Sequence, residues 1–213
     1  MPSENSVKIR TKQRNLFLRV AKGHFATSHS HINYYIDVTT QKTRLSEASA
    51  IAHELVSYYN QNTIIDTILC LDGTEVIGTC LAQELTRGDF RTMNAHQTIY
   101  IVTPEHTTGS QIIFRDNIAP MISGRNVLVL SASVTTGYTA LAAVEAIKYY
   151  NGQVAGISAV FATLDSCGGY PVRSVFNPND LGDYASYPAH ECPLCKSGTK
   201  IDALVNSFGY SKI

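Results

Sequence analysis

The sequence predicts an α/β fold with a mainly parallel sheet flanked by helices. Three observations carry this prediction. Short apolar runs fit for strands alternate with segments of helical period; some of those runs have no polar face, as strands covered on both sides do; and one passes through a Thr/Gly turn directly into an apolar helix. Alternating strands and helices imply parallel pairing with right-handed crossovers. The third feature is "NVLVLSASVTTGYTALAAVEAIKYYNG", residues 126–152.

In chain order, "HINYYIDVTT" alternates Ile32, Tyr34, Ile36 and Val38, which makes an amphipathic strand. Over 46–60, Ala48, Ile51, Ala52, Leu55, Val56 and Tyr59 recur at helical spacing, with Ser46 as the candidate N-cap. "TIIDTILCL" is an apolar run for a strand covered on both faces, "LDGTE" is the turn after it, and 76–85 reads as a second helix. Further strands are expected at 98–102, 111–114, 126–130 and 154–161, with a helix over 139–150 closed by Asn151 and Gly152. There is no internal repeat. The tail from about Asp180, rich in Tyr, Pro, Gly and Cys, reads as an appendage. The whole of 1–213 is expected to form one domain: an N-terminal segment over 1–44, an α/β core over 45–179 and a tail over 180–213.

A chain of 213 residues has a core large enough to need no disulfide or metal staple. Its charged fraction is 16%, and its 17 basic residues match its 17 acidic ones. Without a Lys/Arg cluster there is no electrostatic case for nucleic acid or an anionic membrane. No apolar run has membrane-spanning length, and "MPSENSVKIRTKQRN" lacks the apolar region of a signal peptide, so a soluble cytoplasmic protein is expected. Five cysteines, an odd number, argue against a disulfide framework.

In a parallel sheet, ligands bind beyond the carboxyl ends of the strands. Two turns lie there. Thr135-Thr136-Gly137-Tyr138-Thr139 offers three threonine hydroxyls, backbone N–H groups and a helix start, a combination that can hold a phosphate monoester without lysine. The plainer alternative is an ordinary capped turn with Thr135 or Thr136 as N-cap. Leu71-Asp72-Gly73-Thr74-Glu75 could meet a second anionic group through its amides, although Asp72 and Glu75 oppose an anion unless a divalent cation neutralises them. Alone, such a turn is more often just a tight strand-to-helix turn than an anion site.

Together these turns and their flanks resemble the type I phosphoribosyltransferases, among them the orotate phosphoribosyltransferases. In that family the stretch matching "VLVLSASVTTGYT" is a strand, two adjacent acids that hold ribose hydroxyls, and a loop that binds the 5′-phosphate of phosphoribosyl pyrophosphate. Thr135, Thr136, Gly137 and Thr139 match the loop, Tyr138 replaces a small residue, and Ser131 and Ala132 occupy the acidic positions. "LDGTEVIG" is similar to the family's pyrophosphate loop, which implies a role there for Asp72, Gly73, Thr74 and Glu75. "GHFATSHSHINYYID" resembles the base-binding hood of the orotate branch. Phe25, Ser28 and Tyr35 match and His31 stands among them, while His29 replaces a glycine, Ile32 a serine and Thr27 a lysine. The family's mobile loop carries arginine and lysine, and the matching region here offers His96, His106 and Arg115.

The resemblance covers nearly the whole chain and implies a Rossmann-like sheet with a small N-terminal hood. It also implies Mg2+ if the protein is catalytic, phosphoribosyl pyrophosphate or a nucleotide and a nitrogenous base as partners, and a homodimer. Two functions stay open: transfer of 5-phosphoribosyl to a base such as orotate, within pyrimidine nucleotide metabolism, or a catalytically degenerate sensor that binds a phosphorylated ribose. "CPLCKSG" resembles a Cys-Pro-x-Cys element in the tails of several relatives. Cys192 and Cys195 are only half of a tetrahedral ligand set, so zinc is not expected.

Overall fold

The computed structural model describes residues 7–10, 16–59, 63–87, 93–95, 97–109 and 111–213. The strands are β1 (Val7–Arg10), β2 (Phe17–Ala26), β3 (His31–Asp37), β4 (Thr67–Cys70), β5 (Tyr100–Val102), β6 (Glu105–His106), β7 (Ile112–Ile113), β8 (Asn126–Val134), β9 (Gln153–Ala162), β10 (Ser166–Cys167), β11 (Tyr170–Phe176), β12 (Ser186–Tyr187), β13 (Ala203–Asn206) and β14 (Gly209–Lys212). The helices are α1 (Thr39–Thr43), α2 (Leu45–Val56), α3 (Glu75–Thr86), α4 (Tyr138–Tyr149) and α5 (Pro193–Lys196). The chain divides into two compact units, one of 1–40 with 176–213 and the other of 41–175.

The unit of 41–175 holds a six-stranded sheet in the order β10-β11-β9-β8-β4-β5. Strands β5, β4, β8 and β9 run parallel in register, Thr67 opposite Tyr100 and Val127, and Asn126 opposite Gln153. Val127, Leu128, Val129 and Leu130 are all fully buried, as a central parallel strand requires. Leu69, Val127 and Val129 join Ala140, Ala143, Val144 and Ile147 of α4 in one core cluster. On the opposite face, Gly78 of α3 lies against Cys70, Ile68 and Leu130. Helix α4 ends as expected: Asn151 takes φ 61°, the Gly152 amide donates to the Ile147 carbonyl (2.8 Å) and the Asn151 amide to the Lys148 carbonyl (3.0 Å).

A Cβ on Gly78 would stand 2.5 Å from the Cys70 sulfur, itself buried enough that its thiol pKa is pushed up to about 12. The helical preference of alanine, worth about 0.5–1 kcal/mol, is outweighed by an overpacking cost of about 1–3 kcal/mol. Gly78→Ala is therefore expected to lower the urea midpoint at unchanged m. An unmoved midpoint would mean that α3 does not pack this closely on β4.

The other unit is a second sheet, ordered β12-β3-β2-β13-β14 with β1 added to β2. The β2–β3 hairpin is antiparallel, with a register shift between Lys22 and Phe25. Strand β13 pairs parallel with β2, Ala203 opposite Phe25. Just before it, the Asp202 carboxylate accepts the His24 amide (2.8 Å), and the Asp202 amide donates to the His24 carbonyl (2.7 Å). Segments from the two ends of the chain thus share one sheet.

Candidate active site

The connection from β4 runs through α3 to β5 on one side of the sheet, and that from β8 through α4 to β9 on the other. The order of strands therefore reverses between β4 and β8, which is where open α/β sheets bind ligands. The loops leaving these two neighbouring strands are the two turns that the sequence singles out.

In the loop after β4, Asp72 and Gly73 both take left-handed backbone, φ 59° and 77°. Asp and Gly are the residue types that accept this conformation. The turn carries the Asp72 carboxylate across to β8, where Oδ2 accepts from the Ser131 hydroxyl at 2.5 Å and from the Ala132 amide at 3.3 Å. A carboxylate thus stands against the two positions where the family keeps its acids. The Thr74 side chain is fully buried, its hydroxyl within reach of the Leu71 (2.8 Å) and Leu130 (3.0 Å) carbonyls. It ties the loop to the end of β4 and to the interior of β8. Sequence reasoning missed Lys42, whose ammonium donates to the Asp72 carbonyl at 2.7 Å. A Cβ on Gly73 would be 3.7 Å from Lys42 Nζ and 4.0 Å from Glu75 Oε2, so both charges border the same turn.

Strand β8 runs to Val134, four residues beyond the expected end, which places Ser131 and Ala132 inside it, each 1% exposed. In the following loop the N-cap of α4 is Gly137 with φ 80°, and no side chain caps the helix. The alternative with Thr135 or Thr136 as N-cap is thereby corrected. The first-turn amides of a 12-residue helix have no intrahelical acceptor, and their partial positive charge faces the loop. Thr136, Tyr138 and Thr139 are exposed, and Thr135 is half-buried with its carbonyl accepting from the Thr163 hydroxyl at 2.7 Å. The donors at this loop suit a phosphate monoester.

Within the region matching the family's mobile loop, β6 and β7 pair antiparallel, with His106 exposed on β6. Arg115 makes a two-pronged ion pair with Glu105, Nε at 3.0 Å and Nη2 at 2.7 Å from Oε2. The pairing holds the Glu105 carboxyl below its ordinary range. His96 lies outside the described residues.

The residues matched to the hood lie in the other unit. Phe25 and Tyr35 belong to its core cluster, and burial pushes the Tyr35 phenol up to about 12. Ser28 is exposed near the hairpin tip. His31 approaches Cys195, with His24 and Cys192 beside them.

A mainly parallel sheet with two strand-to-helix loops at its point of reversal is the arrangement of an α/β protein of the kind that the phosphoribosyltransferase resemblance implies. The chain is 30% identical over 185 residues to an orotate phosphoribosyltransferase of Chlorobaculum parvum, covering 85% of this chain and 86% of that one. It is 28% identical over 192 residues to the orotate phosphoribosyltransferase of Chlorobium phaeobacteroides, at the same coverage. A crystal structure of the Mycobacterium tuberculosis orotate phosphoribosyltransferase shares the fold with a TM-score of 0.52 at 20% identity, covering 78% of this chain and 93% of that one. No protein-family profile matches the chain. The chain belongs to the type I phosphoribosyltransferase family, with its curated relatives in the orotate branch. Among the described residues, no helix is long and apolar enough to cross a membrane.

Proposed function

We propose that this chain transfers the 5-phosphoribosyl group from phosphoribosyl pyrophosphate to a nitrogenous base, with orotate as the acceptor. The observation that carries the reading is the Asp72 carboxylate, delivered from one anion loop onto the Ala132 amide at the root of the other. The 5′-phosphate would sit on the first-turn amides of α4 and the hydroxyls of Thr135, Thr136 and Thr139, with the pyrophosphate at 72–75. In the displacement, a base nitrogen bonds to the anomeric carbon as the bond to the pyrophosphate oxygen breaks. Positive charge grows on the ribose and negative charge on the leaving group. Asp72 serves the first and Lys42 the second, each as a fixed charge in place before reaction. Mg2+, when bound, would neutralise the pyrophosphate, and Asp72 and Glu75 are the hard oxygen donors that the loop offers it.

One observation favours a sensor instead: Glu105 already holds Arg115, the arginine of the region matching the mobile loop. Calorimetry with phosphoribosyl pyrophosphate, with and without Mg2+, followed by pyrophosphate release with orotate, uracil, adenine, guanine and hypoxanthine, separates the two readings. Mg2+-dependent binding with turnover on orotate is expected. Binding without turnover on any base would establish the sensor, and no binding at millimolar ligand would reject both. The five cysteines, none of them in a disulfide, suit the reducing cytoplasm. A homodimer, which the resemblance implies, is expected in sedimentation.

A further inference from the structure

We infer that His24, His31, Cys192 and Cys195 form a structural zinc site that fastens the β2–β3 hairpin to the C-terminal tail within their unit. The inference does not depend on the transferase reading.

The four ligand atoms, His24 Nε2, His31 Nδ1 and the two sulfurs, all lie within 4.8 Å of one another. Tetrahedral zinc, with Zn–N of about 2.0–2.1 Å and Zn–S of about 2.3 Å, sets ligand separations of about 3.3 Å between two nitrogens and about 3.6 Å between nitrogen and sulfur. The separations here are 3.1 Å between His24 Nε2 and His31 Nδ1, 3.5 and 3.6 Å from His24 Nε2 to Cys192 and Cys195, and 3.2 Å from His31 Nδ1 to Cys195. Four of the six separations are thus already near those of a coordination shell, and the other two lie within 4.8 Å. Two thiolates would balance the charge of the ion.

The surroundings fix the tautomer. His24 Nδ1 is 2.9 Å from the Thr199 carbonyl, which can only accept, so the proton belongs on Nδ1 and the Nε2 lone pair points into the cluster. A backbone carbonyl behind a histidine is the usual support of a metal ligand. His24 is 1% exposed, and its Nε2 lone pair meets three further ligand atoms at once, more than one hydrogen-bond donor would require.

The sequence places the ligands by two devices. The hairpin brings His24 and His31 together from its two strands, and the Cys-Pro-Leu-Cys turn presents both sulfurs from one short helical turn. That turn is held by the Lys196 amide donating to the Cys192 carbonyl (3.1 Å) and the Thr199 amide to that of Leu194 (2.9 Å). Four protein ligands close the shell, which marks a structural rather than a catalytic ion. Cys192 and His24 are buried, while Cys195 and His31 reach solvent and provide the way in.

The test uses the full chain purified under reducing conditions with zinc supplied, then desalted. Elemental analysis is expected to give one equivalent of zinc per chain. Co2+ exchanged into the site is expected to show the intense visible bands of a tetrahedral ion and thiolate-to-metal charge transfer. Cys195→Ser and His31→Ala should each weaken retention against a competing chelator by at least about tenfold, with His29→Ala unchanged. Removal of the ion from the wild type should lower its unfolding temperature. Wild-type protein that holds neither zinc nor tetrahedral Co2+ would overturn the inference even if the variants failed to fold. So would a wild-type mass two hydrogens lighter under these conditions, which would make the pair a disulfide.

Discussion

Gly137→Val is expected to weaken the binding of phosphoribosyl pyrophosphate by at least about 10²-fold, close to 3 kcal/mol, while the protein still folds. Gly137 is the N-cap of α4 at φ 80°, where an L side chain costs about 1–2 kcal/mol. Its Cβ would also stand 3.1 Å from Leu164 Cδ1 and 3.2 Å from Cys167 Sγ. These are the tips of side chains and can give by tenths of an ångström, so the fold survives. The cheaper relief is rotation of the 136–138 peptides, and this turns the first-turn amides away from the phosphate. Thr136→Val, which removes one exposed hydroxyl and leaves the backbone alone, should cost only about 0.5–1.5 kcal/mol. Calorimetry of the two variants beside circular dichroism decides the matter. Equal binding by Gly137→Val and wild type would remove the phosphate from this loop.

The elements most legible in the sequence are those whose residues are neighbours along it. The passage from β8 through the Gly137 turn to the Asn151-Gly152 stop was readable because an apolar run, a left-handed turn and a helical period follow one another without a partner from elsewhere. Even there, β8 was expected to end too early, because Ser131, Ala132 and Ser133 look like loop until the burial of the first two is known. Ser46 was a poor guide to the start of α2: Arg44 is the N-cap, in extended backbone and without a side-chain cap bond. The helix begins where α2 can bury Ala48, Ile51 and Leu55 rather than where a hydroxyl is on offer. Strand β2 was missed although Leu18 and Val20 alternate, because the bulge between Lys22 and Phe25 breaks the period. The pairs that give the sites their chemistry join distant positions, Asp72 with Ser131 and His24 with Cys192. Spacing carries no trace of these, which is why half of a zinc set and a site without its acids were all that the sequence displayed.

The position of Asp72 changes what restoring the family's acids would do. Ser131→Asp in the wild type would set a second carboxylate beside the one already accepting from the Ser131 side chain and from the Ala132 amide. Like charges so close cannot both ionise easily, so one would take up a proton and activity should fall or stay level. Asp72→Asn isolates the charge, because asparagine also accepts left-handed backbone and still offers an oxygen to the Ser131 hydroxyl. With the fixed charge lost, kcat/KM for pyrophosphate release with orotate is expected to drop by about 10²-fold to 10³-fold. In that background the sign of the second change should reverse: Ser131→Asp returns a carboxylate without a rival and should recover about tenfold. A cycle of wild type, both single variants and the double variant measures this coupling directly. Additive effects, or an Asp72→Asn enzyme within about threefold of wild type, would mean that Asp72 only pins the loop and that the charge facing the ribose comes from another residue.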